Sequence, residues 1–340
     1  MPYPQNGTET PRLDLARTLM ELDLSANVSN MVALEVFPIQ SVQATKGEFG
    51  RMNRKQLMGR TPGLPATSPG YEYRRAPRSA YAKDDTSFTT DKWETEEFGL
   101  TGLIDRNEAN AYQDYFTFET VVTARVANQL LTSMEQRVAA ACFDTTVFTT
   151  VAGKQTNVAT VAAEQWSNQV TATPIRHVKD AKLAMYDQFG MMPNAMVMNA
   201  IAFEHLISTD DIRARITAQG AGSPDRNALI TRQMVAQCFG VEQLIVATSV
   251  YDANNPNQVF NASPIWGAHA MLFVKSTSLD LAQPSLGRTF SWTEDNSMPN
   301  GYVETYYDPE YRGDRVRIRH QLQNKLIDSA NGYLLANVYV

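Results

Sequence analysis

One long interval of this sequence lacks the residues that most disfavour helices. No proline occurs between residues 78 and 173, and no glycine occurs between residues 103 and 152. Apolar residues recur through the shared interval at helical spacing, and Asp105 followed by Glu108 resembles a capping box at its start. Because glycine and proline carry the largest penalties in helix interiors, the interval allows one helix from about residue 106 to 143. At 1.5 Å per residue such a helix is roughly 55 Å long, a strut longer than most globular helices.

A second constraint comes from residues 45–81, where prolines and glycines punctuate a basic segment dotted with aromatic residues. The segment has few aliphatic side chains, so it cannot bury a core of its own. A loop of this length without secondary structure is unusual inside a compact domain. We therefore expect it to be functional, disordered, or held by another chain. The residues that follow, 87–104, predict a strand that is polar on both faces at first and half-buried towards its end.

The two sides of this loop carry opposite charge. Residues 45–81 hold eight basic and two acidic side chains, a net charge of +6, and residues 84–119 hold ten acidic and two basic ones, a net charge of −8. One interpretation is that the two halves attract each other within a subunit. Our hypothesis is that the basic half also meets the acidic strand or helix start of a neighbouring subunit, where complementary charge would fix the register. The proposed contact residues are Arg74, Arg75 and Arg78 on the basic side, with Glu94, Glu96 and Glu97 on the acidic side.

Helices and short apolar strands alternate after residue 174, a pattern typical of an α/β or α+β domain. Asn199 and Asp210 are predicted N-caps, and Gly190 and Gly240 are predicted helix ends. The predicted helices are 175–189, 200–207, 211–216 and 226–239. The predicted strands are 31–43 near the N-terminus, then 195–199, 242–250, 264–274 and 314–322, the last with apolar and arginine side chains on opposite faces.

Composition narrows the function classes. The chain has 340 residues, enough for one large or two ordinary domains with a substantial core. Its formal net charge of −6 argues against a protein that grips nucleic-acid phosphates, because that task needs a basic face. Hydrophobic residues make up 43% and charged residues only 19%. This balance suits a subunit that hides much of its surface against copies of itself.

The sequence shows no motif for catalysis, for a cofactor or for a metal. The four histidines lie apart from one another and from both cysteines, so no metal-ligand spacing occurs. There is neither a phosphate-binding loop nor a nucleophile elbow. Cys142 and Cys238 fall in predicted helices, where we expect inert buried thiols and no disulfide. Because neither a signal peptide nor an apolar window of about 18 residues is evident, we expect a cytosolic chain that does not cross a membrane.

The order of these parts, together with several stretches of sequence, resembles a known family. The order is an arm, a strand, a loop that is first basic and then acidic, a strut helix, a mixed domain, and a terminal strand that returns to the first part. The similar stretches are FGLTGLIDRNEAN, SMEQRVAAACF, MMPNAMVMNAIAFEHLISTDDIRARI, FGVEQLIVATSVY and, most specific, GYVETYYDPEYRGDRVRIRHQLQNKLIDSANGYLLANV. From about residue 32 to 338 the chain resembles the lambda-like subfamily of tailed-bacteriophage major capsid proteins with the Hong Kong 97 fold.

This resemblance implies an α+β fold, the Hong Kong 97 capsid fold, with an N-terminal arm, an extended loop, a peripheral domain that contains a long spine helix, and an axial domain. The implied boundaries are 1–30 for the arm, 31–44 for a peripheral-domain strand, 45–100 for the extended loop, 101–173 for the peripheral domain with the spine helix, 174–300 for the axial domain, and 301–340 for the return to the peripheral domain.

The resemblance also implies a function. A major capsid protein assembles into pentamers and hexamers of an icosahedral phage head around double-stranded DNA, which it contacts non-specifically, and it is no enzyme. The implied partners are copies of itself, a portal and a decoration protein, with either a separate scaffolding protein or none. The implied location is the virion, after synthesis in the host bacterial cytoplasm. Two alternatives stay open: an encapsulin-type compartment shell that encloses cargo protein, and an α/β enzyme of unknown reaction.

Overall fold

The structure is a computed structural model. It describes residues 28–52, 54, 75, 77–81, 88–112, 118–218, 230–252, 254, 258–276, 278, 283–293 and 301–340, with the backbone alone at 111, 112, 217 and 218. The chain divides into two compact units, a larger one of residues 1–43 with 95–340 and a smaller one of residues 44–94. The predicted arm lies outside the described residues up to residue 27.

Seven helices lie in the described part of the larger unit. They are α1 (Ala33–Val36), α2 (Arg106–Tyr112), α3 (Phe118–Cys142), α4 (Pro174–Phe189), α5 (Ala200–Ser208), α6 (Asp210–Ala218) and α7 (Arg232–Phe239). Asp105 caps α2, because its carboxylate accepts hydrogen bonds from the backbone amides of Asn107 at 2.7 Å and Glu108 at 3.3 Å. Helices α2 and α3 together follow the predicted strut, and its continuity through 113–117 lies outside the described residues.

A five-stranded sheet packs against α3. Its strands are β1 (Ile39–Val42), β4 (Glu96–Asp105), β11 (Gly287–Trp292), β12 (Tyr302–Asp308) and β13 (Gly313–Leu326). Strand β13 is central, with β4 antiparallel along one side and β12 and then β11 antiparallel along the other. Strand β1 extends the sheet by pairing parallel to β11.

The alternation predicted for the last long strand is confirmed. Val316, Ile318 and Leu322 are buried on one face of β13, whereas Arg317 on the other face is exposed. Val316 and Ile318 join a core cluster with Val126 and Leu130 of α3. The sheet therefore has one face against the long helix and one face towards solvent, as the period of two requires.

A second five-stranded sheet forms the main core. Its strands run in the order β5 (Gln155–Asn157), β14 (Gly332–Ala336), β10 (Ala270–Phe273), β6 (Ala195–Asn199) and β7 (Gln243–Ala247). Met196 and Met198 of β6 face a cluster that includes α4, α5, α6 and α7, whereas Val197 faces the cluster with α1 and α3. Because both of their faces are covered, β6, β7 and β10 are nearly continuous apolar runs rather than alternating, which is why sequence patterning located them. Strands β5 and β14 were not predicted.

Several predicted boundaries need correction. Residues 31–43 do not form one strand, since α1 replaces its first half and only β1 is extended. Helix α6 begins at Asp210 itself, which is therefore not an N-cap. Helix α7 begins only after Thr231, whose hydroxyl accepts a hydrogen bond from the amide of Met234 at 3.3 Å; residues 226–229 lie outside the described residues.

Other helix predictions are confirmed. The side chain of Asn199 caps α5 by accepting a hydrogen bond from the amide of Ala202 at 2.7 Å. Gly190 and Gly240 end α4 and α7 in the left-handed conformation, with φ of 65° and 60°. Of the predicted strand 264–274, only the part that forms β10 lies in the second sheet. Residues just before it form β9 (Ala262–Pro264), which pairs with β8 (Val250–Asp252) as a separate hairpin.

The smaller unit contains an antiparallel hairpin of β2 (Lys46–Arg51) and β3 (Thr89–Glu94). The rings of Phe49 and Trp93 stack with centroids 6.2 Å apart. Strand β2 lies at the start of the segment for which a loop without secondary structure was predicted. Its pairing with β3, about 40 residues away, is a long-range contact that local composition does not reveal.

Candidate assembly surfaces

The predicted contact residues fall into both units. Glu94 forms an ion pair with Lys46 directly across the hairpin, and Lys92 pairs with Glu48 at 2.8 Å. The Lys46–Glu94 pair joins the basic and acidic sides of the loop within one subunit, as the alternative interpretation of the charge pattern holds, whereas the Lys92–Glu48 pair joins the minority charges of the two sides. The hydrogen bond and charge of Glu48 raise the pKa of Lys92 above its ordinary value, because the opposing effect of burial on this exposed side chain is slight.

The arginine side of the predicted contact is partly described. Arg75 donates a hydrogen bond from Nε to the carbonyl of Ser79 at 2.7 Å, and its guanidinium lies 4.8 Å from the centroid of the Tyr81 ring. Arg78 is exposed and adopts a left-handed backbone conformation with φ of 70°. Arg74 lies outside the described residues. Arg75 and Arg78 both belong to the smaller unit.

The remaining two carboxylates belong to the larger unit. Glu96 and Glu97 are exposed at the start of β4, where they lie opposite Leu322 and Gln321 of β13. The role proposed for these six charged residues in contacts between subunits stays a prediction.

The structure adds a surface that the sequence prediction missed. Arginine and tyrosine side chains share one face of β12, β13 and the turn between them, and we call this set the arginine–tyrosine face: Arg315, Arg317, Arg319, Tyr302, Tyr306 and Tyr311. The guanidinium of Arg315 lies 4.5 Å from the centroid of Tyr311, and those of Arg317 and Arg319 lie 5.6 Å from Tyr306 and Tyr302. Tyrosine and arginine are the residue types most enriched at protein interfaces. The tyrosine-rich stretch YVETYYDPEY was the available signal.

Two carboxylates hold these arginines in place. Glu304 forms ion pairs with Arg317 and, at 3.0 Å, with Arg319, while Asp308 pairs with Arg315 at 2.7 Å. Hydrogen bonds from Arg317 and Arg319 hold the pKa of Glu304 below its ordinary value. The carboxylate is therefore ionised at neutral pH, and the three arginines keep a net positive charge of one over their two acidic partners.

The buried carboxylate of Glu135 binds the backbone near the first described residues. Glu135 of α3 is fully buried, and it accepts hydrogen bonds from the amides of Val32 at 3.0 Å and Ala33 at 2.7 Å. The indole of Trp266 donates to the same carboxylate at 2.6 Å, and the hydroxyl of Ser249 lies 3.4 Å from it. Burial raises the pKa of Glu135 above its ordinary value, and these hydrogen bonds counter that rise in part.

This arrangement explains why residues 33–36 are helical. The free amides at the start of α1 find their acceptor in a side chain more than 100 residues away. Sequence patterning sees only the β-branched and apolar residues of this segment, so it predicted a strand. No local signal marks Glu135, which is one of four acidic residues on the predicted helix.

Titratable side chains elsewhere have structural partners. His177 is buried between Trp166, whose indole lies 3.4 Å from Nδ1, and Glu164, which lies 3.1 Å from Nε2. Burial lowers the pKa of His269 and raises that of Cys142, so this thiol is a poor nucleophile at neutral pH.

Within the described part of the chain, no group of three histidine, cysteine, aspartate or glutamate side chains could hold a metal ion. None of the described helices is long and apolar enough to span a membrane.

We expect that replacing both cysteines leaves assembly intact. Cys142 is buried and Cys238 is half-buried, and both are reduced. A Cys142→Ala and Cys238→Ser double variant loses only a buried thiol's packing, so it should form the same particles with a slightly lower melting temperature. Particle yield is measured by sedimentation, with and without a chelator. Disassembly on chelation, or on loss of the thiols, would show that a metal or disulfide contributes.

Comparison with known proteins supports the fold. No protein-family model matches the sequence, and no curated protein sequence matches it. Among solved structures, a phage-related protein from Bordetella bronchiseptica RB50 aligns with a TM-score of 0.62 at 18% identity, over 93% of this chain and 96% of that one. The capsid structure of cyanophage P-SCSP1u aligns with a TM-score of 0.55 at 10% identity, over 88% and 86%. A virus-like particle from Pyrococcus furiosus aligns with a TM-score of 0.50 at 8% identity, over 92% and 97%.

These alignments extend across nearly the whole of each chain, so they compare complete architectures rather than one shared motif. At such low identity, the likeness concerns the path of the chain. The chain has the α+β Hong Kong 97 capsid fold.

Proposed function

We propose that this chain is the major capsid protein of a tailed bacteriophage, a subunit that self-assembles into pentamers and hexamers of an icosahedral head. The observation that carries the proposal is the capsid fold, which extends over 88% of the chain in the match to a cyanophage capsid. The exposed arginine–tyrosine face supports it, because a monomer gains nothing from so many exposed aromatic side chains on one sheet.

The proposal includes a structural, non-enzymatic role and a place in the virion. The chain's net charge of −6 suits a shell that contacts packaged double-stranded DNA only non-specifically. A separate scaffolding protein, a portal and a decoration protein are proposed partners. The domain division at residues 30, 44, 100, 173 and 300 belongs to the same proposal. Its parts are the arm, a peripheral-domain strand, the extended loop, the peripheral domain, the axial domain and the return to the peripheral domain.

An encapsulin-type compartment shell is the second candidate. The match to a virus-like particle from Pyrococcus furiosus, over 97% of that chain, favours it. In that match, a chain of similar fold forms a virus-like particle. A phage head and a compartment differ in what they enclose, so the nucleic acid and protein content of purified particles separates the two candidates.

Size-exclusion chromatography with light scattering tests the proposed function. The purified protein should elute as capsomers of five or six copies or as larger particles, either alone or after co-expression with a scaffolding protein. Such assembly is expected because many moderate contacts add up around a closed shell. A stable monomer under every condition, co-expression included, would contradict the proposal.

The charge pattern of the loop gives a second test. Complementary charge steers docking and fixes register, so reversing the basic cluster should block assembly while leaving the subunit folded by circular dichroism. Reversing the acidic cluster in the same chain should partly restore particles. The basic cluster is Arg74, Arg75 and Arg78, changed to Glu; the acidic cluster is Glu94, Glu96 and Glu97, changed to Lys.

Two controls accompany this test. Changing the same three arginines to lysine keeps the charge and should preserve assembly. Raising the salt concentration from physiological to 1 M shortens the screening length from about 8 Å to about 3 Å, so assembly initiation should slow in the parent. If the reversed arginine variant assembles like the parent at low salt, then the pairs formed within one subunit account for the charge pattern.

A further inference from the structure

Strand β12 is open to solvent on three sides. It forms one edge of its sheet, and among the described residues it pairs with β13 alone. Five of its seven residues are exposed, and they alternate between both faces of the strand. Val303 and Tyr307 on one face are each 48% exposed, and Tyr302 and Tyr306 on the other face are 41% and 42% exposed. Neither face of this strand is therefore covered by the sheet's own core.

The strand lacks the features that keep edges apart. An open edge presents unpaired backbone donors and acceptors, and soluble proteins usually protect it with lysine, proline, a bulge or a covering segment. Residues 302–308 contain no lysine, proline or glycine, and the strand is regularly paired with β13 along its whole length. Its two acidic residues, Glu304 and Asp308, are neutralised by the arginines of β13.

The side chains along this edge are held before any partner arrives. Tyr302 and Tyr306 lie against the guanidinium groups of Arg319 and Arg317, which Glu304 fixes in turn. On the opposite face, the ring of Tyr307 lies 4.7 Å from the guanidinium of Arg106. Ordering side chains is part of the free-energy cost of association, so an edge with fixed aromatic rings loses less entropy on docking.

We propose that β12 pairs antiparallel, edge to edge, with β12 of a second copy of this chain, about a two-fold axis through Thr305. The inference deepens the proposed function, since it names one contact between subunits. In this register each Val303 lies opposite the partner copy's Tyr307, a pairing of β-branched and aromatic side chains that favours strand association. Glu304 lies opposite Tyr306, and Tyr302 opposite Asp308, so no like charges lie directly opposite each other across the new pair.

The symmetry of the strand is what selects a second copy as the occupant. A two-fold contact requires that the same patch complement itself, and the sequence YVETYYD does so about its centre. Every pair in this register joins residues that lie on the same face, because positions equally distant from residue 305 share the strand's period of two. Two five-stranded sheets would thereby join into one continuous sheet across the contact.

A cysteine at the centre of the strand tests the proposal. In a chain with Cys238→Ser, we introduce Thr305→Cys, which the two-fold axis places directly opposite its copy. Directly opposed antiparallel residues have Cα atoms about 4.5 to 5.5 Å apart, within the range of a disulfide. The matched control is Thr101→Cys, an exposed threonine in β4 on the other edge of the same sheet.

After mild oxidation of assembled material, T305C should give at least ten times more disulfide-linked dimer on a non-reducing gel than T101C. A second variant, Val303→Lys, places a lysine on the edge and should reduce particle yield at least tenfold, whereas Val303→Thr should retain it. Circular dichroism checks that both variants fold, which is expected because Val303 is exposed.

The outcomes separate this inference from the proposed function. If the parent assembles but T305C cross-links no more than T101C, or V303K assembles like the parent, edge pairing is wrong and the capsid role stands. If the parent never exceeds a dimer and T305C still cross-links, edge pairing holds and the capsid role fails. A parent that stays monomeric, without cross-linking of T305C, overturns both.

Discussion

Replacing Glu135 with alanine is expected to lower the free energy of unfolding by about 3 kcal/mol. The substitution leaves the amides of Val32 and Ala33 and the indole of Trp266 buried without their acceptor. Each buried donor that loses its partner costs about 1 to 3 kcal/mol, and removing a buried charge offsets part of that loss. Urea unfolding followed by tryptophan fluorescence measures the change.

The position of the lost stability matters as much as its size. Glu135 holds α1 against α3 together with the apolar contacts of Ala33 and Val36, so its loss should loosen the N-terminal segment before the rest of the subunit unfolds. Hydrogen exchange at residues 32–36 should therefore accelerate more than exchange in β6, which lies in the middle of the second sheet. A variant that unfolds with parent-like stability, or with unchanged exchange at α1, would show that the four hydrogen bonds contribute little.

The glutamine variant of the same residue separates charge from hydrogen bonding. Because burial raises the folded-state pKa of Glu135, the free energy that this group contributes is fully present below its unfolded pKa of about 4.5. It is lost as pH rises through the raised folded-state value, since the folded state must then bury a charge. Glu135→Gln does not titrate, so the parent should lose stability relative to this variant as pH rises above about 4.5.

The second large effect concerns the two faces of β13. Ile318→Ala should lower the free energy of unfolding by about 2 to 5 kcal/mol, because Ile318 is 1% exposed and packs with Val126 and Leu130 of the long helix. Its neighbour Arg317 is exposed on the opposite face. Arg317→Ala should leave the unfolding transition nearly unchanged and reduce particle yield instead.

Comparing the variants of these two neighbouring residues separates effects on folding from effects on assembly. Chemical unfolding of the dissociated subunit reports on the buried face, and sedimentation of assembled particles reports on the arginine–tyrosine face. Equal losses of stability in both variants would mean that β13 is buried on both sides. Full assembly of R317A would mean that this arginine has no part in the contacts between subunits.

The parts of the fold that the sequence predicted are those with local causes. The helical spacing of apolar residues marked α3, and Gly190 and Gly240 marked the ends of α4 and α7 because only glycine adopts the left-handed conformation cheaply. The alternation in β13 appeared because one face is buried and the other is wet. In each case, the residues that decide the structure lie within a few positions of one another.

The parts that could not be predicted depend on distant partners. Helix α1 forms where a strand was expected because Glu135 supplies an acceptor for its amides. Strand β2 forms in a predicted loop because it pairs with β3, which lies about 40 residues further along the chain. For the arginine–tyrosine face, the arginines were visible as a pattern, but their pairing with Glu304 follows from the register of β12 against β13.

The capsid role is tested most directly by electron microscopy of the purified chain in negative stain, alone and after co-expression with a scaffolding protein. Our account predicts closed, hollow, icosahedral particles of uniform size, with pentamers and hexamers visible in averaged images. Uniform monomers or small oligomers under both conditions, with no curved or closed assemblies, would contradict it.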